Sequence, residues 1–95
     1  MKVRYTATAL SEIEEIFAWI VKDNPPAAAR VATAIERTVA WIADHPEAAP
    51  VVFETNVRAK LVGRYQYRVF FSMEGSELVF RNVRSTRRRR PWEPD

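Results

Sequence analysis

Apolar positions recur at helical spacing in the first half of the chain and at strand spacing in the second. Ala9, Ile13, Ile16, Phe17 and Ile20 form one stripe at intervals of three and four, which predicts an amphipathic helix. Thr6 or Thr8 is placed to cap its start. Glu12, Glu14 and Glu15 lie off the stripe and suit the positive end of the helix dipole. Asp23-Asn24-Pro25-Pro26 interrupts the pattern. Asn24 can cap a second helix, whose first turn tolerates proline because its N–H groups lack intrahelical partners anyway. The second stripe is Ala28, Val31, Ile35, Val39 and Ile42, ending near His45-Pro46. Two helices of about 15–20 residues joined by a tight turn imply an antiparallel hairpin about 25–30 Å long. Trp19 and Trp41 sit beside the stripes. They are expected to widen the buried face; the other reading is that they flank a groove for a partner helix.

Strand signals bracket this hairpin. Met1 to Tyr5 alternates Val3 and Tyr5 with Lys2 and Arg4. Val57 to Val62, Tyr67 to Ser72 and Leu78 to Arg84 follow the helices, with Met73-Glu74-Gly75-Ser76 as a hairpin turn. The order β-α-α-β-β-β predicts an α+β fold. The antiparallel helix hairpin packs on one face of a mainly antiparallel four-stranded sheet, and the other face carries much of the basic charge. Phe70 and Phe71 are adjacent and both apolar, so periodicity leaves the core face of that strand open.

Ninety-five residues, 47% hydrophobic and 28% charged, fit one domain over 1–95, with 86–95 as a basic C-terminal tail. The absence of cysteine excludes disulfides, thiolate metal sites and a cysteine nucleophile. One histidine, His45, excludes multi-histidine zinc sites, and two glycines cannot build a phosphate loop. No cofactor and no metal are expected. No apolar run approaches the roughly 18–20 residues that span a bilayer. Glu12, Glu14 and Glu15 interrupt any signal-peptide core, so a soluble, cytoplasmic chain without membrane attachment is expected.

The net charge of +3 conceals an asymmetry: residues 1–50 carry five Lys/Arg against seven Asp/Glu, whereas residues 51–95 carry ten against five. The basic half suggests an acidic counterpart, nucleic acid or protein. Arg58, Lys60, Arg64, Arg68, Arg81 and Arg84 fall on or beside strands, ahead of the run Arg87-Arg88-Arg89-Arg90. Guanidinium groups suit bidentate phosphate contact, and Tyr65 and Tyr67 offer stacking surfaces. Cleaving RNA by internal attack also needs a proton acceptor and a donor, and arginine stays protonated. His45 at a helix end is expected to cap a carbonyl or face solvent. The carboxylates form no convergent pair.

The element order, Tyr5-Thr6-Ala7-Thr8-Ala9-Leu10 ahead of and into the first helix, Asn24-Pro25 between helices, Tyr67-Arg68-Val69-Phe70-Phe71 and the exit Val83-Arg84-Ser85-Thr86-Arg87-Arg88 together resemble the RelE/ParE superfamily. The resemblance covers about residues 3–92. It implies the toxin of a type II toxin–antitoxin system, held in a hetero-oligomer by a ParD-like or other type II antitoxin. RelE-like members cleave mRNA on the ribosome; ParE-like members poison DNA gyrase. For a ribonuclease, the resemblance implies Arg58, Lys60, Arg68 and Arg87 as catalytic positions. The C-terminal Tyr or His common in the ribonucleases is absent, since Trp92 cannot transfer a proton. The long helix hairpin also favours the ParE-like branch, and with it a gyrase inhibitor over an enzyme. Antitoxin contacts are then expected at Trp19, Arg68 and Arg84, and target contacts at Arg84, Arg87, Arg88, Arg89, Arg90 and Trp92. A basic binding module without toxic activity is the reading from a different class.

Overall fold

The computed structural model describes residues 2–52 and 55–86. Strand β1 (Lys2–Tyr5) leads into helices α1 (Ala7–Asp23) and α2 (Pro25–Asp44), followed by β2 (Arg58–Leu61), β3 (Tyr67–Glu74) and β4 (Glu77–Ser85). The sheet order is β1-β4-β3-β2. β1 runs parallel to β4, and the other two pairings are antiparallel. A parallel pair needs a long crossover, and the helix hairpin supplies it.

Two short polar side chains start the helices. Thr6 accepts from the Ala9 N–H at 3.0 Å and donates its own hydroxyl to the Arg81 carbonyl at 2.9 Å, so α1 starts anchored to β4. Asn24 is the sole residue between the helices. Its N–H donates to the Ile20 carbonyl at 2.9 Å, closing α1, and its side chain accepts from the Ala27 N–H at 3.1 Å, opening α2. Pro25 and Pro26 occupy the first two positions of α2, where no N–H is missed.

Val31, Ile35 and Ile42 of α2 pack with Val69, Phe71, Leu78, Phe80 and Val83 of the sheet in one core cluster. The predicted stripe of α2 shifts at one position: Thr38 is buried and Val39 only half-buried. The Thr38 hydroxyl donates to the Ala34 carbonyl at 2.8 Å, which removes the cost of burying it. Helix α1 is the outer helix. Only Ala9 is fully buried, while Ile13, Ile16, Phe17 and Ile20 are half-buried against the core.

The adjacent phenylalanines are explained by burial on both sides of β3. Val69 and Phe71 belong to the core cluster; Phe70 and Ser72 alternate with them and are buried as well, as are Ala59 and Val79. On β4 the register slips: Phe71 faces Phe80 but Phe70 faces Asn82, leaving Arg81 as an extra residue. The bulge is why the core positions of β4 step from Phe80 to Val83. Gly75, with φ +62°, sits in the two-residue β3–β4 turn, a backbone conformation that other residues adopt at a cost.

Candidate functional surfaces

Arg58 and Lys60 oppose Phe71 and Val69, both core residues, so the two cations lie on the helix side of the sheet. Both are half-buried on the edge strand β2, so part of the strand charge lies on the helix side, while Arg68 and its register partner Arg84 fall on the far side, where much of the basic charge was expected. The Arg58 guanidinium donates to the carbonyls of Ala49 at 2.6 Å and Glu47 at 3.2 Å, bracing the segment after α2. The Lys60 ammonium lies 4.7 Å from the centre of the Trp41 ring. Arg68 alternates to the opposite side of the sheet. Of the ribonuclease set, Arg58 and Lys60 therefore share one side of the sheet and Arg68 lies on the other, although Lys60 and Arg68 both line a groove at the β2 edge; Arg87 lies outside the described residues.

His45 closes α2. Its N–H donates to the carbonyls of Trp41 and Ile42, its Nδ1 is 3.1 Å from the Trp41 oxygen, and its ring stacks on Trp41 with centroids 4.9 Å apart. This is the carbonyl-capping role expected from its position. Tyr5 stacks on Phe80, and burial, then the charge of Glu36, raises its pKa above the ordinary 10.0. Among the described residues no group of three or more His, Asp or Glu could hold a metal ion. No helix among them is long and apolar enough to cross a membrane.

A groove of about 750 Å³ opens between α1 and the strands β3 and β4. Ile16, Trp19, Tyr67 and Val83 give it an apolar lining, and Glu12, Glu15 and Arg84 give it charge. Trp19 is 73% exposed, which corrects the expectation that it widens the buried face; the reading of a groove-flanking residue fits it instead. Trp41 does pack against the core. Leu10 and Val21 on the same helix are also exposed. Arg84 joins Trp19 in this groove, whereas Arg68, its register partner on β3, does not line it.

Glu12 organises the groove's end, a role that its place off the apolar stripe beside Glu14 and Glu15 did not reveal. One carboxylate oxygen accepts from the Val83 N–H at 3.0 Å and from the Asn82 amide at 3.1 Å; the other accepts from Arg84 Nε at 2.9 Å. Val83 lies beyond the β1 pairing, which ends at Phe80, so Glu12 completes an edge that β1 leaves open. Its charge also offsets the like-charge pairing of Arg84 with Arg68 across β3–β4.

Residues 3–90 match the family described as ParE toxin of type II toxin–antitoxin system, parDE. The chain belongs to the ParE toxin family. A curated relative named "Putative toxin Y4kP", from Sinorhizobium fredii (strain NBRC 101917 / NGR234), is 44% identical over 45 residues. That match covers 47% of each protein, so the alignment spans about half the length of the curated relative. Among solved structures, a chain of the chromosomal ParDE TA system from P. aeruginosa superposes with a TM-score of 0.78 at 19% identity. It covers 90% of this chain and 95% of that one. The YoeB/ParE toxin from Agrobacterium tumefaciens superposes with a TM-score of 0.64 at 15% identity, covering 90% and 98%. At these identities the structures establish a shared fold, and the ParE assignment rests on the sequence match. The tail positions Arg87, Arg88, Arg89, Arg90 and Trp92 lie outside the described residues.

Proposed function

We propose that this ParE-family chain is a cytoplasmic toxin that arrests growth by inhibiting DNA gyrase and is neutralised by a cognate ParD-like antitoxin. The observation that carries the choice of a non-nucleolytic toxin is the engagement of Arg58 and Lys60 within the fold, on the opposite side of the sheet from Arg68. Arg58 is bound to two backbone carbonyls, Lys60 sits over Trp41, and Arg68 is on the other side of the sheet. RNA cleavage needs a proton acceptor and donor converging on one phosphate.

The antitoxin reading is supported by the groove beside Trp19. An exposed tryptophan over an apolar floor, with Arg84 and Glu12 at its end, suits an amphipathic segment that folds on binding. The arginine run is the surface proposed to meet gyrase or its bound DNA.

Induced expression in a bacterial host without antitoxin tests the proposal. The expected result is growth arrest with loss of gyrase supercoiling in a purified assay and intact mRNA. Codon-positioned mRNA cleavage in a purified translation system would move the chain to the ribosome-dependent ribonucleases. Normal growth together with undiminished supercoiling would leave a non-toxic binding module.

A further inference from the structure

A second groove, of about 630 Å³, lies on the other side of the molecule's helical layer, between α2 and the β2–β3 turn. Its walls carry Arg30 and Arg37 from α2, Lys60 from β2 and Arg64 from the turn, and no acidic residue. Arg30 and Arg37 are two helical turns apart, about 10 Å along the axis, on one exposed stripe. Gly63, with φ +55°, permits the tight turn closed by the Tyr65 N–H on the Val62 carbonyl, which sets Arg64 on the rim opposite α2. Among the described residues, none of these four cations has a carboxylate partner. The floor between them is apolar and includes Trp41 and half-buried Tyr65.

We propose that this groove binds single-stranded nucleic acid, with phosphates on the four cations and a base against Tyr65. A cationic rim over an aromatic floor matches a chain whose charges lie along its backbone and whose bases offer flat apolar faces. Three of the four cations are arginines, whose planar forks take phosphate oxygens in pairs. An acidic peptide fits less well. An extended peptide gains affinity by adding to a free strand edge. The outer edge of β2 is already occupied: the Ala59 N–H donates to the Pro50 carbonyl, and Val51 bridges to Arg58. A duplex presents its bases inward and leaves Tyr65 without a partner.

The test needs neither gyrase nor antitoxin, so its outcome is separate from that of the gyrase reading. Anisotropy of a fluorescein-labelled 12-nucleotide oligothymidylate is measured with the purified chain against salt. Four neutralised phosphates give a slope of about −2.8 in log affinity against log salt, roughly a 50-fold loss between 50 and 200 mM. Arg30→Ser with Arg37→Ser is expected to flatten the slope by about 1.4 and weaken binding at least about tenfold at low salt. Arg64→Ser, on the opposite wall, flattens it by about 0.7. Replacing Lys2 and Lys22, exposed outside the groove, leaves binding within about twofold. Binding unchanged by the groove substitutions but lost on replacing Arg87–Arg90 with serine assigns it to the tail and overturns the proposal. Equal or tighter binding of a 12-base-pair duplex or of octaglutamate overturns it too.

Discussion

Glu12 and Arg84, 72 residues apart in sequence, meet at 2.9 Å, and the same carboxylate holds the Val83 N–H and the Asn82 amide. Side-chain exposure is 13% for Glu12 and 31% for Arg84, so the pair is shielded from water more than a surface ion pair. Glu12→Ala takes the acceptor from the Val83 N–H and the Asn82 amide and removes the ion pair with Arg84. The expected loss is about 2–3 kcal/mol. Glu12→Gln keeps an acceptor for Val83 and is expected to lose about 1 kcal/mol. Urea unfolding of the two variants checks the order.

Asn24 closes one helix and opens the next with a single residue. Asn24→Ala removes the side-chain acceptor for the Ala27 N–H and is expected to cost about 1 kcal/mol. Asn24→Gly is expected to cost only a few tenths. Thermal unfolding of both variants distinguishes loss of the cap from a general effect on the turn.

Tyr5 titrates above 10.0 when folded because burial and Glu36 disfavour its phenolate. Between the unfolded and folded pKa the native chain holds a proton that the unfolded chain has released. Stability therefore falls as pH rises above about 10. Tyr5→Phe keeps the ring against Phe80 and is expected to flatten that decline. The urea midpoint as a function of pH, compared between parent and variant, measures the contribution.

Trp19 separates folding from recognition. At 73% exposure its removal takes little apolar area from the core, so Trp19→Ala is expected to shift stability by less than about 0.5 kcal/mol. If the α1 groove seats the antitoxin, the same change weakens capture by about 2 kcal/mol or more, the scale of an aromatic anchor. Calorimetric titration with the purified antitoxin is the measurement. Unchanged affinity would assign antitoxin binding to another surface.

The tail is tested by charge alone. Replacing Arg87, Arg88, Arg89 and Arg90 with serine while keeping Trp92 is expected to leave folding and antitoxin capture intact and to abolish growth arrest. Arrest at the parent level would remove the tail from target docking.

Much of the fold was legible because its determinants are local. The helical stripes follow from a period of 3.6, the joint at Asn24 from capping chemistry, and the hairpin at Gly75 from a positive φ. The element order and the motif spacing carried the ParE resemblance. Three features depended on tertiary structure. The slip at Arg81 is a property of two paired strands, and no single strand records it. The fates of Arg58, Lys60 and Arg68 were set by which side of β2 and β3 met the helices, a choice that alternation left open where Val69 to Ser72 are all buried. The grooves join residues far apart in the chain: Arg30 and Arg37 with Lys60 and Arg64, and Trp19 with Arg84. Local periodicity fixes what each element is, because it acts within a few residues. Packing fixes which charges meet, because that depends on how the helix hairpin lies across the sheet.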